Sequence, residues 1–378
     1  MMLETIADKI EHGKRLSSAE GRYLITDAEL IELGRLANRV RFRHNPEPRV
    51  TFVVDTNPNY TNICNTDCIF CAFYRKPGDP DAYWLTVDEV MTKIERTVQM
   101  GVTTVLLQGG HNDAIPFDYY LSLIRAIRAR FPHVTPHCFT ASEVRQMAAV
   151  SNLSIRDVLQ QLREAGQTTL PGGGAEILSD RVRKKLSPKK GPSSHWLEVH
   201  REAHRLGFRS TATMMYGHIE TPDDIVEHWD TIRTLQDEHG GFTAFVPWSF
   251  KPGNTPLERK FPHHAGPARY LRMIAASRLY LDNFAHIQAS WFSEGKKAGQ
   301  LALHFGADDF GGTLFEENVH KAADFVNQAT VEETVTLIKE AGFTPAQRTT
   351  LYEIIRAFGE TETTPSATAH LTAAGGSR

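Results

Sequence analysis

The run NICNTDCIFC sets Cys64, Cys68 and Cys71 in a C-x3-C-x2-C spacing. Three of the four cysteines in a 378-residue chain therefore stand on one short segment. Thiolates are soft ligands, suited to zinc or to iron–sulfur clusters. A structural zinc site takes four ligands, usually as two separated pairs. Three close cysteines suit a cubane cluster instead, with three irons tied to protein and the fourth open to a ligand that is not protein. A partial zinc site or three unrelated cysteines is the bland alternative. Cys138 lies far along the chain and reads as a small buried residue.

Composition narrows the rest. The length is ample for a full core. A net charge of −3 argues against a generic nucleic-acid or membrane-surface binder. One cysteine beside a cluster of three makes no disulfide framework, and a thiolate cluster belongs in a reducing compartment. The start, MMLETIADKIEHGKRL, is amphipathic without an apolar signal-peptide core, and no apolar window is long enough to span a bilayer. A cytoplasmic protein with no nucleic-acid or membrane partner is expected.

Along the chain, residues 1–48 read as a helical extension. Thr26 and Glu29 make a capping box before a helix with Leu30, Leu33, Leu36 and Val40 on one face. RVTFVVDT reads as a buried strand whose C-terminal end delivers the cysteine loop. Thr86 and Glu89 then cap a helix closed by Gly101, before the strand TVLLQ. The helix-then-strand order recurs before VTPHCF, TTL, RSTATMM, FTAFVPW and HIQAS, with ALHFGAD as a short last strand. About eight strands alternating with helices imply parallel pairing and a closed (β/α)8 barrel over 49–320, an open sheet being the alternative. Additional C-terminal helices are expected over 321–358, and a disordered Thr/Ala/Gly-rich tail over 359–378.

The informative polar residues fall at strand ends. LLQGGHND places Gln108, Gly109, Gly110 and His111 there, and the glycines permit close approach of backbone to a ligand. Glu143 follows the next strand and reads equally as a helix-start carboxylate. LPGGGAEIL sets three glycines before Glu176, with Arg181 beyond. TATMMYGHIET carries Met214, Met215, His218 and Glu220. Trp248, Gln288 and Trp291 stand at later strand ends, where aromatics make good walls for a flat substrate.

The cysteine spacing, with Phe70 before the third cysteine, resembles the radical S-adenosylmethionine superfamily. The motif order NICNTDCIFCAFYR, LLQGGHN, LPGGGAEIL, TATMMYGH, GGFTAFVPWSFKPGNT, IQASW and FGADDFGGTLFEEN resembles the cyclic dehypoxanthine futalosine synthase family of menaquinone biosynthesis. These runs cover about residues 50–320. The resemblance implies a [4Fe-4S] cluster on Cys64, Cys68 and Cys71, with S-adenosyl-L-methionine at the open iron. It implies that Gln108, Gly109 and Gly110 hold the methionine amino group, although His111 replaces the usual acidic residue. Met214 and Met215 would flank the adenine, which Phe70, Phe73 and Tyr74 cover. Glu176 would hold the cofactor's ammonium or ribose hydroxyls, and Arg181 its carboxylate.

The reaction so implied is hydrogen abstraction from ribose C4′ of dehypoxanthine futalosine by a 5′-deoxyadenosyl radical, then addition to the benzoate ring. Loss of one electron and one proton follows. Glu143, His218 and Glu220 are the candidate bases. An external one-electron reductant such as flavodoxin or ferredoxin is implied as partner. The sister aminofutalosine synthases and the deazaflavin-forming enzymes are alternatives within the superfamily. An iron–sulfur electron carrier is the alternative from another class.

Overall fold

In the computed structural model, residues 2–359 are described. Strand β1 (Arg49–Val53) and strand β2 (Asp55–Thr56) are two halves of one stave, broken at Val54. From β2 a seven-stranded parallel sheet runs in chain order through β3 (Thr104–Leu107), β4 (Thr135–Cys138), β5 (Thr169–Leu170), β6 (Arg209–Tyr216), β7 (Phe242–Ser249) and β8 (His286–Ile287). Strand β9 (Asp309–Gly312) pairs in parallel with β1, and a bridge from Gln288 to Asp309 joins it to the end of β8. The ring is thereby closed as a (β/α)8 barrel with its helices outside. Parallel strands buried on both faces explain the apolar runs such as Val50, Phe52, Val105 and Leu107, all fully buried.

The capping boxes act as local punctuation. Thr86 and Glu89 cap the helix Val87–Val98, whose Val90, Met91 and Ile94 are buried. Thr26 does not cap: it ends the helix Ser18–Thr26, and Glu29 itself caps Leu30–His44 by accepting the amides of Ile31 and Glu32, each at 3.0 Å. A carboxylate two residues before a helix's free N–H groups outcompetes a hydroxyl three residues further back. The N-terminal helices pack on the barrel helices Pro222–His239 and Pro267–Tyr280.

Two other expectations shift. ALHFGAD is not the last strand; Lys296–Ala302 is helical and the strand begins at Asp309. The C-terminal segment does contain helices, Val319–Ala322 and Val331–Glu340. It also adds β10 (Thr344–Arg348), parallel to β1, and β11 (Ile354–Ala357), antiparallel to β10. TPAQR has no strand periodicity of its own, so its extended state comes from the free edge of β1. The tail expected at 359–378 lies, from residue 360 on, outside the described residues. Among the described residues no helix is long and apolar enough to cross a membrane.

Candidate active site

The cysteine loop leaves the C-terminal end of β2 and is tied down on both sides. Cys64 donates its amide to the Arg75 carbonyl at 2.9 Å, and Arg75 Nη1 returns to the carbonyls of Ala72 and Tyr74. Gly110 sits against the loop: a Cβ there would stand 2.2 Å from the Ile63 carbonyl oxygen and 2.9 Å from Cys64 Cβ. Only glycine lets the β3 loop approach so closely. All three thiols are free. Burial pushes the Cys68 thiol up to about 11 and raises Cys71 as well, against the opposing pull of Lys190. Thiolates in such a place require further positive charge, which bound iron supplies. Among the described residues no three Cys, His, Asp or Glu side chains close around a single metal ion. Cys138 is elsewhere, fully buried on β4 with its thiol 3.6 Å from the Val105 carbonyl.

Beside the loop, Glu176 occupies the left-handed region with φ 44°. Lys190 Nζ donates to its Oε1 at 2.9 Å, and Arg183 stands 3.7 Å from Oε2. Buried Oε2 has no hydrogen-bond donor in the protein, so an acceptor is left open for a ligand ammonium. Lys190 also lies 5.5 Å from the centre of the Phe70 ring. Glu176, Lys190 and Phe70 thus converge on the cysteines. No motif marks Lys190: LSPKKG has the composition of an exposed basic turn.

The barrel encloses a cavity of about 230 Å³. Gln108, Glu176, Trp248 and Gln288 line it, as the strand-end reading requires. Thr211 and Thr213 line it from β6, so two-residue alternation puts Met215 on the inner face and Met214 on the helix side; both are fully buried. The floor carries polar residues that no motif announced: Asp55, His137, Arg348 and Tyr352. Arg348 arrives on β10 and forks onto buried Asp309, through Nε at 2.5 Å and Nη2 at 3.0 Å. His286 stacks on Tyr352 at 3.7 Å.

Several candidates are placed otherwise. Glu143 caps Ala141–Ser151; its oxygens accept from Thr140, from Tyr60 Oη at 2.7 Å and from the Gly109 amide at 3.0 Å. It orients the Gly109–Gly110 turn and does not line the cavity. Glu220 accepts the amides of Gly217 and His218 and pairs with Arg269. His218 bonds the Met215 carbonyl at 2.9 Å and lies 3.0 Å from Glu220. Both brace the turn after β6, outside the cavity lining. Arg181 points outward onto Asp224, while buried Arg183 holds the carbonyls of Gly174 and Ala175. Phe73 packs against Tyr83 in a separate cleft with Pro58, Asn62 and Lys321, and Tyr74 is half-buried beside the thiols. Trp291 stacks on Phe310 and donates to the Gly312 carbonyl, as core and not as a wall. Capping and bracing carboxylates share strand-end positions with catalytic ones, so position alone did not separate them.

The chain matches the family described as radical SAM superfamily over residues 58–232 and the one described as CofH/MqnC C-terminal region over residues 239–360. It is 41% identical over 362 residues to the cyclic dehypoxanthine futalosine synthase of Halalkalibacterium halodurans, covering 96% of this chain and 97% of that protein. It is also 41% identical over 361 residues to the aminodeoxyfutalosine synthase of Thermus thermophilus, covering 94% and 97%. The solved structure of methylornithine synthase shares the fold, with a TM-score of 0.71 at 18% identity over 90% of this chain and 97% of that one. The chain belongs to the radical S-adenosylmethionine superfamily, and within it to the family of the cyclic dehypoxanthine futalosine synthases.

Proposed function

We propose that this protein closes dehypoxanthine futalosine to cyclic dehypoxanthine futalosine in menaquinone biosynthesis, as a radical S-adenosylmethionine enzyme. The observation that carries the reading is end-to-end similarity to a synthase of that name, in a chain whose cysteine loop opens beside a cavity inside the barrel. S-adenosyl-L-methionine on a [4Fe-4S] cluster supplies a 5′-deoxyadenosyl radical able to take hydrogen from a sugar carbon.

The chain's own residues supply the rest. Cys64, Cys68 and Cys71 hold the cluster. Glu176 presents its open oxygen to the cofactor ammonium, Lys190 fixes the orientation of its carboxylate, and Gln108 faces the same space. Phe70 covers the adenine side. The apolar walls, among them Val53, Leu106, Val246 and Phe292, keep bulk water out of the site and offer the radical no polar group to react with. The floor and walls hold the ribose within contact of the radical. The reductant is a small one-electron carrier of the flavodoxin or ferredoxin class, and the compartment is the cytoplasm.

Equal identity to an aminodeoxyfutalosine synthase favours one rival, in which the adenosyl group adds to the substrate and stays in the product. Turnover with substrate deuterated at C4′ separates the two. Cyclase activity places deuterium in released 5′-deoxyadenosine; adenosyl carbons in the product establish the rival.

A further inference from the structure

The cavity floor holds a carboxylate that the cofactor site does not use. Asp55 opens β2, on the stave that delivers the cysteine loop, and lines the cavity. Its Oδ1 accepts the Leu314 amide at 2.7 Å. Gly312 makes room for it, since a Cβ there would stand 2.4 Å from both carboxylate oxygens. We propose that Asp55 is the proton acceptor of ring closure, taking the proton that the substrate's benzene ring loses as it becomes aromatic again. This rests on the reading given under Proposed function.

The other ionisable groups lining the cavity are committed or unsuited. Glu176 is held by Lys190 on one oxygen and turns the other to the cofactor ammonium. Glu317 accepts the amides of Val319 and His320 at 2.7 and 3.1 Å. Arg348 is forked onto Asp309, and Tyr352 accepts from Gln288. His137 has an unpartnered buried Nδ1, yet burial and Arg348 hold its imidazole down to about 3, too weak a base. His320, packed between Phe292 and Trp248, is lowered by burial too. The Leu314 amide, Arg348 from β10, Asp55's own amide and the Thr313 hydroxyl all lower Asp55, and Arg348 is itself paired with Asp309 of β9. Burial outweighs them and pushes Asp55 up to about 6, near the value a general base needs at neutral pH.

The step balances. After the C4′ radical has added to the ring, that ring carbon carries both a new C–C bond and its hydrogen. The C–H bond breaks and the proton goes to the Asp55 carboxylate. The C–H electron pair joins the five π electrons of the ring, and one electron leaves to a one-electron acceptor of the iron–sulfur class. Six π electrons remain.

The test is Asp55→Asn in the cluster-loaded enzyme with C4′-deuterated substrate, after wild-type transfer of deuterium to 5′-deoxyadenosine has been seen. That control tests the cyclase reading separately. We expect deuterium transfer and substrate affinity within threefold of wild type, and aromatic cyclised product down at least 100-fold. Product within threefold of wild type overturns the proposal. So does loss of substrate affinity together with deuterium transfer, which makes Asp55 an anchor. Should Asp55→Asn not fold, the wild-type ratio of product to 5′-deoxyadenosine decides. It should fall as pH drops below about 6, approaching tenfold per unit, and a ratio unchanged from pH 8 to pH 5 sinks the proposal.

Discussion

Lys190 donates a 2.9 Å hydrogen bond to Glu176 where the cysteine loop meets the cavity, joining a helix-flanking turn to the loop after β5. Neither side chain is more than 12% exposed. The pair fixes a carboxylate with one oxygen satisfied and the other open.

Glu176→Gln should weaken S-adenosyl-L-methionine binding about tenfold or more, the worth of one charge-assisted hydrogen bond of roughly 1.5–3 kcal/mol. Lys190→Met should do the same and also destabilise the fold by about 3 kcal/mol, because it strands a buried carboxylate. Equilibrium binding and denaturant unfolding measure both. Unchanged cofactor affinity in Glu176→Gln with lost substrate binding would move Glu176 to the substrate side.

The four cysteines should divide three to one. Cys64→Ala, Cys68→Ala and Cys71→Ala should each give an incomplete cluster and no cleavage of S-adenosyl-L-methionine. Cys138→Ala should keep its iron, at about 1 kcal/mol of stability for the small cavity left on β4. Iron and sulfide analysis after anaerobic reconstitution decides it; iron lost from Cys138→Ala and kept in Cys68→Ala reverses the assignment.

Gly110→Ala tests the close approach of the β3 loop to the cysteine loop. The added methyl group meets backbone, which yields poorly, so a cost of about 1–3 kcal/mol is expected together with impaired cluster assembly. Normal iron content and normal thermal stability would show that the loop moves aside freely.

Buried histidines should make the fold acid-sensitive. His228 accepts the Leu178 amide at 3.0 Å, and burial holds its imidazole down to about 3; His204 is held down to about 4, and His200 well below its ordinary value. Each is neutral in the folded state while the unfolded chain protonates near 6.5. Their contribution is therefore fully present above about pH 6.5 and is lost as pH falls towards the folded values. The loss is about 1.4 kcal/mol per pH unit for each histidine. Urea midpoints should drop between pH 7.5 and 5.5, and His228→Gln should flatten the drop. Equal midpoints at the two pH values would count against it.

The barrel and the cysteine loop were legible because they depend on local chemistry. Cysteine spacing, apolar strands and Thr86–Glu89 caps act over a few residues, and βα alternation leaves few topologies. The roles of polar residues depend on which groups the closed barrel brings face to face. Glu143, His218 and Glu220 look catalytic by position, yet the nearest unsatisfied amides claim Glu143 and Glu220, and a main-chain carbonyl claims His218. Lys190 and Arg348 look like surface charges until a turn and an unheralded strand bury them against Glu176 and Asp309. Asp55, hidden in an apolar run, becomes a cavity carboxylate only when Gly312, 257 residues away, leaves it space. A buried charge is defined by the partners that compensate it, and only the tertiary fold chooses them.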